Sequence, residues 1–192
     1  HVQTITRVDT MGPAFTSAPE DITVECDAVP AVTALEDLLD SGELAATDNC
    51  EATDEPVEYS YDGESINATD CDSQYEILRT WTATDCSGNA TSYTQVITVE
   101  DTTAPVFVEA LPADETVECD AVPAAVTLTA TDNCDATVEV MFEESIADGA
   151  CPQAYTITRT WTVSDCAGNT TEYVQTIDCL LYTSDAADDF VR

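Results

Sequence analysis

The chain contains no lysine, four arginines and one histidine against 39 aspartates and glutamates, giving a formal charge of −35 over 192 residues. A surface this poor in cations repels phosphate backbones and anionic headgroups, so nucleic acid and anionic membrane surfaces are excluded as partners. Neither a Ser-His-Asp nor a Cys-His relay can be assembled, because the sole histidine is His1 at the chain end. Chance proximity among so many carboxylates is weak ground for glycosidase chemistry, and no enzymatic activity is expected. No stretch approaches the roughly 20 consecutive apolar residues of a spanning helix, so no membrane insertion is expected. What remains is a chain that is 44% hydrophobic, outside the disordered class. Its self-repulsion calls for a saline or calcium-containing medium.

Two stretches carry the organisation. Residues 74–99 read QYEILRTWTATDCSGNATSYTQVITV, and residues 154–177 repeat the pattern as AYTITRTWTVSDCAGNTTEYVQTI. Tyr75, Ile77, Arg79, Trp81 and Ala83 share one face of an extended strand by the period of two, as do Tyr155, Ile157, Arg159, Trp161 and Val163. The wealth of Thr, Tyr, Ile, Val and Trp suits a pleated surface. Asp85-Cys86-Ser87-Gly88-Asn89 and Asp165-Cys166-Ala167-Gly168-Asn169 supply turn residues before a second alternating run. Each copy is therefore predicted to be a β-hairpin with a Trp near its centre.

The strand after the turn occurs three times, aligned on Gln3, Gln95 and Gln175, and the period from Asp9 to Asp101 is 92 residues. This predicts the last strand and linker of a preceding repeat at 1–13, a first repeat at 14–104 and a truncated second repeat at 105–178. Strands are expected at Thr23–Cys26 and, in the second copy, Val126–Thr131. Between Pro30 and Cys50 the first copy carries nine residues more than the second has between Pro123 and Cys134. That insertion, around 34–42, has helix formers and a Gly stop, and is expected to add a turn or two of helix that decorates the domain without building it. Residues 179–192 break the pattern and resemble a translated sequencing adapter, to be excluded from the fold; their deletion is then expected to leave stability unchanged.

Setting Cys179 aside with that tail leaves four cysteines per repeat, which point to disulfides and an oxidising compartment. A four-Cys zinc site is the rival, but the close C-x2–4-C spacing of such sites is missing. In an immunoglobulin-like sandwich, cysteines at the same end can meet, and the predicted pairs are Cys26–Cys71, Cys50–Cys86, Cys119–Cys151 and Cys134–Cys166.

The same topology gathers hard oxygen ligands at the domain junctions, where a bound ion would stiffen the linker: Asp9, Asp48, Asn49, Asp85 and Asn89, then Asp101, Asp132, Asn133, Asp165 and Asn169. Such a set suits Ca2+. The competing reading is that these side chains close turns through hydrogen bonds to the backbone. Arg79 and Arg159, two residues before the tryptophans, are expected to be structural, paired with an acid such as Glu25 or Glu118.

The run from TVECDAVP through ATDNC and YTITRTWT to DCAGN and DTTAPVF resembles the HYR-like (hyalin repeat) immunoglobulin-fold modules of large secreted bacterial surface proteins, particularly of Bacteroidota. The resemblance covers essentially residues 1–178. It implies an all-β fold of two tandem immunoglobulin-like β-sandwich repeats, outside the cell or on its surface. It also implies a non-catalytic role in adhesion or as an extended spacer, with neighbouring repeats and a cell-surface or glycan ligand as partners. No cofactor beyond Ca2+ is expected. The alternative is a carbohydrate-binding accessory module of a secreted polysaccharide-degrading enzyme, which needs an exposed aromatic platform from Tyr59, Tyr61 or Phe142.

Overall fold

A computed structural model describes residues 3, 8–49, 56–149 and 154–180. The expected strand at 1–6 lies outside the described residues apart from Gln3, as do Cys50, Cys151 and residues 181–192. The chain divides into two compact units, His1–Asp101 and Thr102–Arg192. They are the two tandem immunoglobulin-like β-sandwiches that the sequence predicts.

In the first unit, β1 (Ala14–Ser17) pairs with β3 (Ala45–Thr47) in a two-stranded sheet. The larger sheet has the order β2-β6-β5-β4, formed by Ile22–Glu25, Ala90–Glu100, Tyr75–Thr84 and Glu58–Ala68. The predicted hairpin is β5 and β6, in register from Tyr75 opposite Val99 to Thr84 opposite Ala90. Its turn is tied by Asp85 N–H donating to Asn89 O at 3.0 Å, with Gly88 at φ +84°, a conformation that costs a β-carbon-bearing residue dearly. Strand alternation sends Ile77, Arg79, Trp81 and Ala83 inward on β5, and Gln95, Ile97 and Val99 inward on β6. The outward face carries a hydroxyl ladder, Thr80 to Thr94 at 3.1 Å and Thr82 to Ser92 at 2.8 Å.

The second unit repeats this plan. β7 (Val106–Phe107) pairs with β9 (Ala130–Thr131), and the larger sheet runs β10-β11-β12-β8. Those strands are Glu139–Asp148, Tyr155–Ser164, Thr170–Leu180 and Glu115–Glu118. The first strand of each large sheet, β2 or β8, lies parallel to the last, β6 or β12. Side chains of the last strand fasten the preceding corner in both copies. Tyr93 donates to Pro19 O and Gln95 to Glu20 O, as Tyr173 donates to Pro112 O and Gln175 to Ala113 O.

Three expectations are corrected. The strand predicted over Val126–Thr131 is reduced to Ala130–Thr131, because Thr129 gives its N–H and hydroxyl to the Glu109 carboxylate, at 2.6 and 2.8 Å, instead of to a strand ladder. The insertion does form a helix, α1 (Leu35–Ser41), stopped by Gly42 in the left-handed conformation. It is more than decoration, since Leu38 is 3% exposed and packs with Leu44 and Trp81 in the core cluster. Finally, Cys179 and Leu180 belong to β12 rather than to an extraneous tail. Cys179 sits opposite Tyr155 where Val99 sits opposite Tyr75, is 1% exposed, and packs with Ile157 and Ile177. A cysteine behaves there as the small hydrophobe the position needs.

Leu38→Ala should therefore cost about 2–4 kcal/mol in urea unfolding, which a merely decorative helix would not lose. Cys179→Val should stay within about 1.5 kcal/mol of the parent chain, whereas truncation after Asp178 should lower Tm measurably. The bonds from Thr129 hold the Glu109 carboxyl below its ordinary range. A depressed folded-state pKa gives stability that is present above the unfolded value, here near 4.5, and lost as pH falls through the folded value. The Tm advantage of the parent over Glu109→Gln should thus persist from neutrality to pH of about 5 and shrink below about 4.

Candidate functional site

The inward arginines are the first constellation the strands build. Arg79 and Arg159 are 6% and 4% exposed. Nε of Arg79 meets Glu64 Oε1 at 2.6 Å, and Nε of Arg159 meets Glu144 Oε2 at 2.8 Å. Nη2 donates to Pro30 O in one unit and to Pro123 O in the other, at 2.6 and 2.8 Å. The structural role is as expected, but the acid is not Glu25 or Glu118. Those residues end the edge strands β2 and β8, whereas Glu64 and Glu144 lie directly across the ladder from their arginines. A repeat signal could have found them, because each glutamate precedes its arginine by 15 positions.

Cys26, Cys71, Cys134 and Cys166 are disulfide-bonded, as the cysteine count suggested. Their partners differ from those predicted: Cys26 is not joined to Cys71, nor Cys134 to Cys166. Sharing an end of a sandwich is too coarse a criterion. Cys26 follows β2 and Cys71 follows β4, at opposite edges of a sheet ordered β2-β6-β5-β4. Three strand spacings of about 4.8 Å separate those edges, well over the roughly 7 Å a disulfide spans between Cα atoms. Cys134 does lie near the β11–β12 turn, since the adjoining Asp135 accepts from the Cys166 N–H at 2.7 Å, yet nearness at one end does not make the pair. The expected partners of Cys86 and Cys119, namely Cys50 and Cys151, lie outside the described residues.

The acidic residues at the turn end are partly brought together. In the first unit, Asp9, Asp48 and Asp85 each offer a carboxylate oxygen within 4.8 Å of the others. In the second, oxygens of Asp132 and Asp165 approach within the same distance. Asp101, which ends the first unit, is 3% exposed. Turn chemistry is present as well. Asp85 Oδ1 accepts from the N–H groups of Ser87 and Asn89, and Oδ2 from the Asn89 amide, all at 2.8 Å. The Asn89 amide foremost, then these backbone donors, hold the Asp85 carboxyl below its ordinary range. Asn169 donates to Asp165 in the same manner, and Asp132 Oδ1 accepts from the N–H groups of Cys134 and Asp135. The expected asparagine ligands fit less well. Asn89 and Asn169 present amide nitrogen to the carboxylates, Asn49 turns to Met11 Sδ and Asn133 to Cys134 Sγ.

The aromatics named for a sugar platform do not form one. Tyr59 and Tyr61 are half-buried against the Trp81 cluster, with the Tyr59 hydroxyl bonded to Ala46 and the Tyr61 ring 5.7 Å from Trp81. Phe142, in the other unit, is 44% exposed and tilts against Trp161 at 5.2 Å.

Removing a partner from the arginine pairs should be costly. Glu144→Ala leaves the buried Arg159 charge to a backbone carbonyl alone, and about 2–3 kcal/mol should be lost in denaturant unfolding. The figure lies below the usual cost for a buried pair because Glu144 is 37% exposed.

Comparison with known proteins places these features. No curated protein matches the chain. Among solved structures, it is similar to the extracellular domain of protocadherin GammaB4, at 18% identity and TM-score 0.37, covering 91% of this chain and 33% of that one. It is likewise similar to Drosophila N-cadherin EC1-4, at 15% identity and TM-score 0.29, covering 90% and 51%. For human protocadherin-24 EC1-2 the values are 15%, 0.34, 90% and 99%. The chain thus spans about a third of the GammaB4 structure. The family described as "HYR-like domain with 4 cysteines" matches residues 15–99 and again 107–179. With the match running through both sandwiches and carrying each repeat's cysteine set, the chain belongs to the family of HYR-like domains with four cysteines.

Proposed function

We propose that this chain is a non-catalytic extracellular repeat segment of a larger cell-surface protein, serving adhesion or extended spacing, with Ca2+ held among the carboxylates at the turn end of a repeat. The observation that carries the reading is duplication of a structural interaction set. The Arg–Glu pair, the corner bonds from Tyr and Gln and the Asp–Asn turn recur in both units with the same geometry. Selection on a repeating scaffold maintains contacts of that kind. Disulfide bonds at Cys26, Cys71, Cys134 and Cys166 agree with an oxidising location, and no described helix is long and apolar enough to cross a membrane.

Calcium is favoured by the spacing at Asp9, Asp48 and Asp85. Oxygens that share one Ca2+ at about 2.3–2.6 Å lie no more than about 5 Å apart, and these three carboxylates meet that condition. Three like charges so close also gain from a counter-ion. Asp85 accepts three hydrogen bonds that close its turn, so Asp9 and Asp48 are the residues to vary, asparagine keeping the acceptor oxygen that Asp9 offers to the Met11 N–H at 3.1 Å. Thermal melting with about 5 mM CaCl2 against EDTA should show a rise of several degrees, as mass action on a site of about 0.1–1 mM gives roughly 1–2 kcal/mol. Asp9→Asn with Asp48→Asn should abolish that rise without disturbing the turn at Asp85. Equal melting in both media would withdraw calcium and leave the turn hydrogen bonds as the whole role of the cluster.

A further inference from the structure

Trp81 and Trp161 occupy the same place in their hairpins, 2% and 1% exposed, each beside the tyrosine of the following strand. Their indole N–H groups are treated differently. Trp161 Nε1 donates to the Val126 carbonyl at 3.2 Å, whereas Trp81 Nε1 is buried and has no acceptor among the described residues. An unpaired buried donor is rare enough in a folded protein to require a reason. Here the reason is the insertion. Counted from the shared Pro30 and Pro123, the position of Val126 falls on Thr33, where the first copy leaves the extended path to enter α1. The backbone carbonyl that satisfies the indole in one unit is therefore displaced in the other.

The displacement leaves a cleft of about 410 Å³, with Trp81, Arg79 and Gln95 among its floor residues and Thr33, Glu20 and Glu43 at its edge. That volume is within the usual range for ligand sites, about 300–1,000 Å³. The other floor groups are committed, Arg79 to Glu64 and Pro30 O, and Gln95 to Glu20 O. Thr33, which takes the place of Val126, lines this cleft together with Trp81.

We propose that this cleft binds an extended peptide segment of basic character from another protein, with one of its backbone carbonyls accepting the hydrogen bond from Trp81 Nε1. The other unit supplies the precedent, since the group meeting Trp161 there is a backbone carbonyl of a segment outside any helix or strand. Charge selects the sequence: Glu20 and Glu43 lie at the cleft and the chain carries −35 overall, so cationic peptides are drawn in and anionic ones repelled. The inference does not depend on calcium.

The test is a titration of the 15N-labelled full chain, its two indole N–H signals assigned with Trp161→Phe. The probe is an acetylated peptide copying Pro123 to Thr129 and ending in two lysines. Saturable movement of the Trp81 signal with the Trp161 signal unmoved is the expected result. A version ending in two aspartates should bind at least about tenfold more weakly at low salt. Thr33→Trp, which fills the cleft from an exposed position outside the core, should abolish the movement. The proposal is overturned if no peptide moves the signal, leaving a trapped water as the indole's partner. It is equally overturned if a neutral oligosaccharide saturates the site while the peptides do not, or if the response survives Thr33→Trp.

Discussion

The antiparallel register of the tryptophan strand against its two neighbours is the constraint on which each unit depends. It sets Tyr61 and Tyr93 on either side of Trp81, and Phe142 and Tyr173 on either side of Trp161. Two positions before each tryptophan it sets an inward arginine opposite a glutamate. A one-residue slip would turn all of these to the other face. A sandwich of this size has a thin core, and a buried guanidinium could remain there only with its donors occupied. The glutamate and the proline-segment carbonyl occupy them, which also ties the irregular segment after β2 or β8 to the sheet.

The two copies show how one scaffold absorbs a change of length. Nine extra residues in the first become a capped helix, and Leu38 from that helix enters the tryptophan cluster. In the second, a shorter path without a helix places Leu128 in the interior and brings the Val126 carbonyl to the indole. The apolar requirement is met in both cases, while among the described residues the polar requirement of the indole is met only in the second. This asymmetry gives two otherwise equivalent repeats different surfaces.

Extreme acidity places few demands on the interior and many on the surface. Apart from Asp101 and Asp165, no acidic residue appears among the buried polar groups of the described residues. The carboxylates that do approach one another lie where turns require Asp for its hydrogen bonds. Local turn chemistry and close negative charge therefore coincide.

The hairpins, the repeat, the helix at the insertion and the all-β class were legible in the sequence, because strand alternation, turn residues and the Gly stop are local properties of neighbouring residues. The identity of the arginine's partner, the failure of strand pairing at Val126–Thr129 and the disulfide partners were not, since each depends on which strand lies beside which and at what distance. Cys179 goes with the adapter-like run that follows it on sequence resemblance, although its alternation continues the inward series of Gln175 and Ile177. Sequence alone fixed which residues share a face. Only the tertiary structure decided which faces meet, because sheet order and the path of an insertion are settled by packing between residues far apart in the chain.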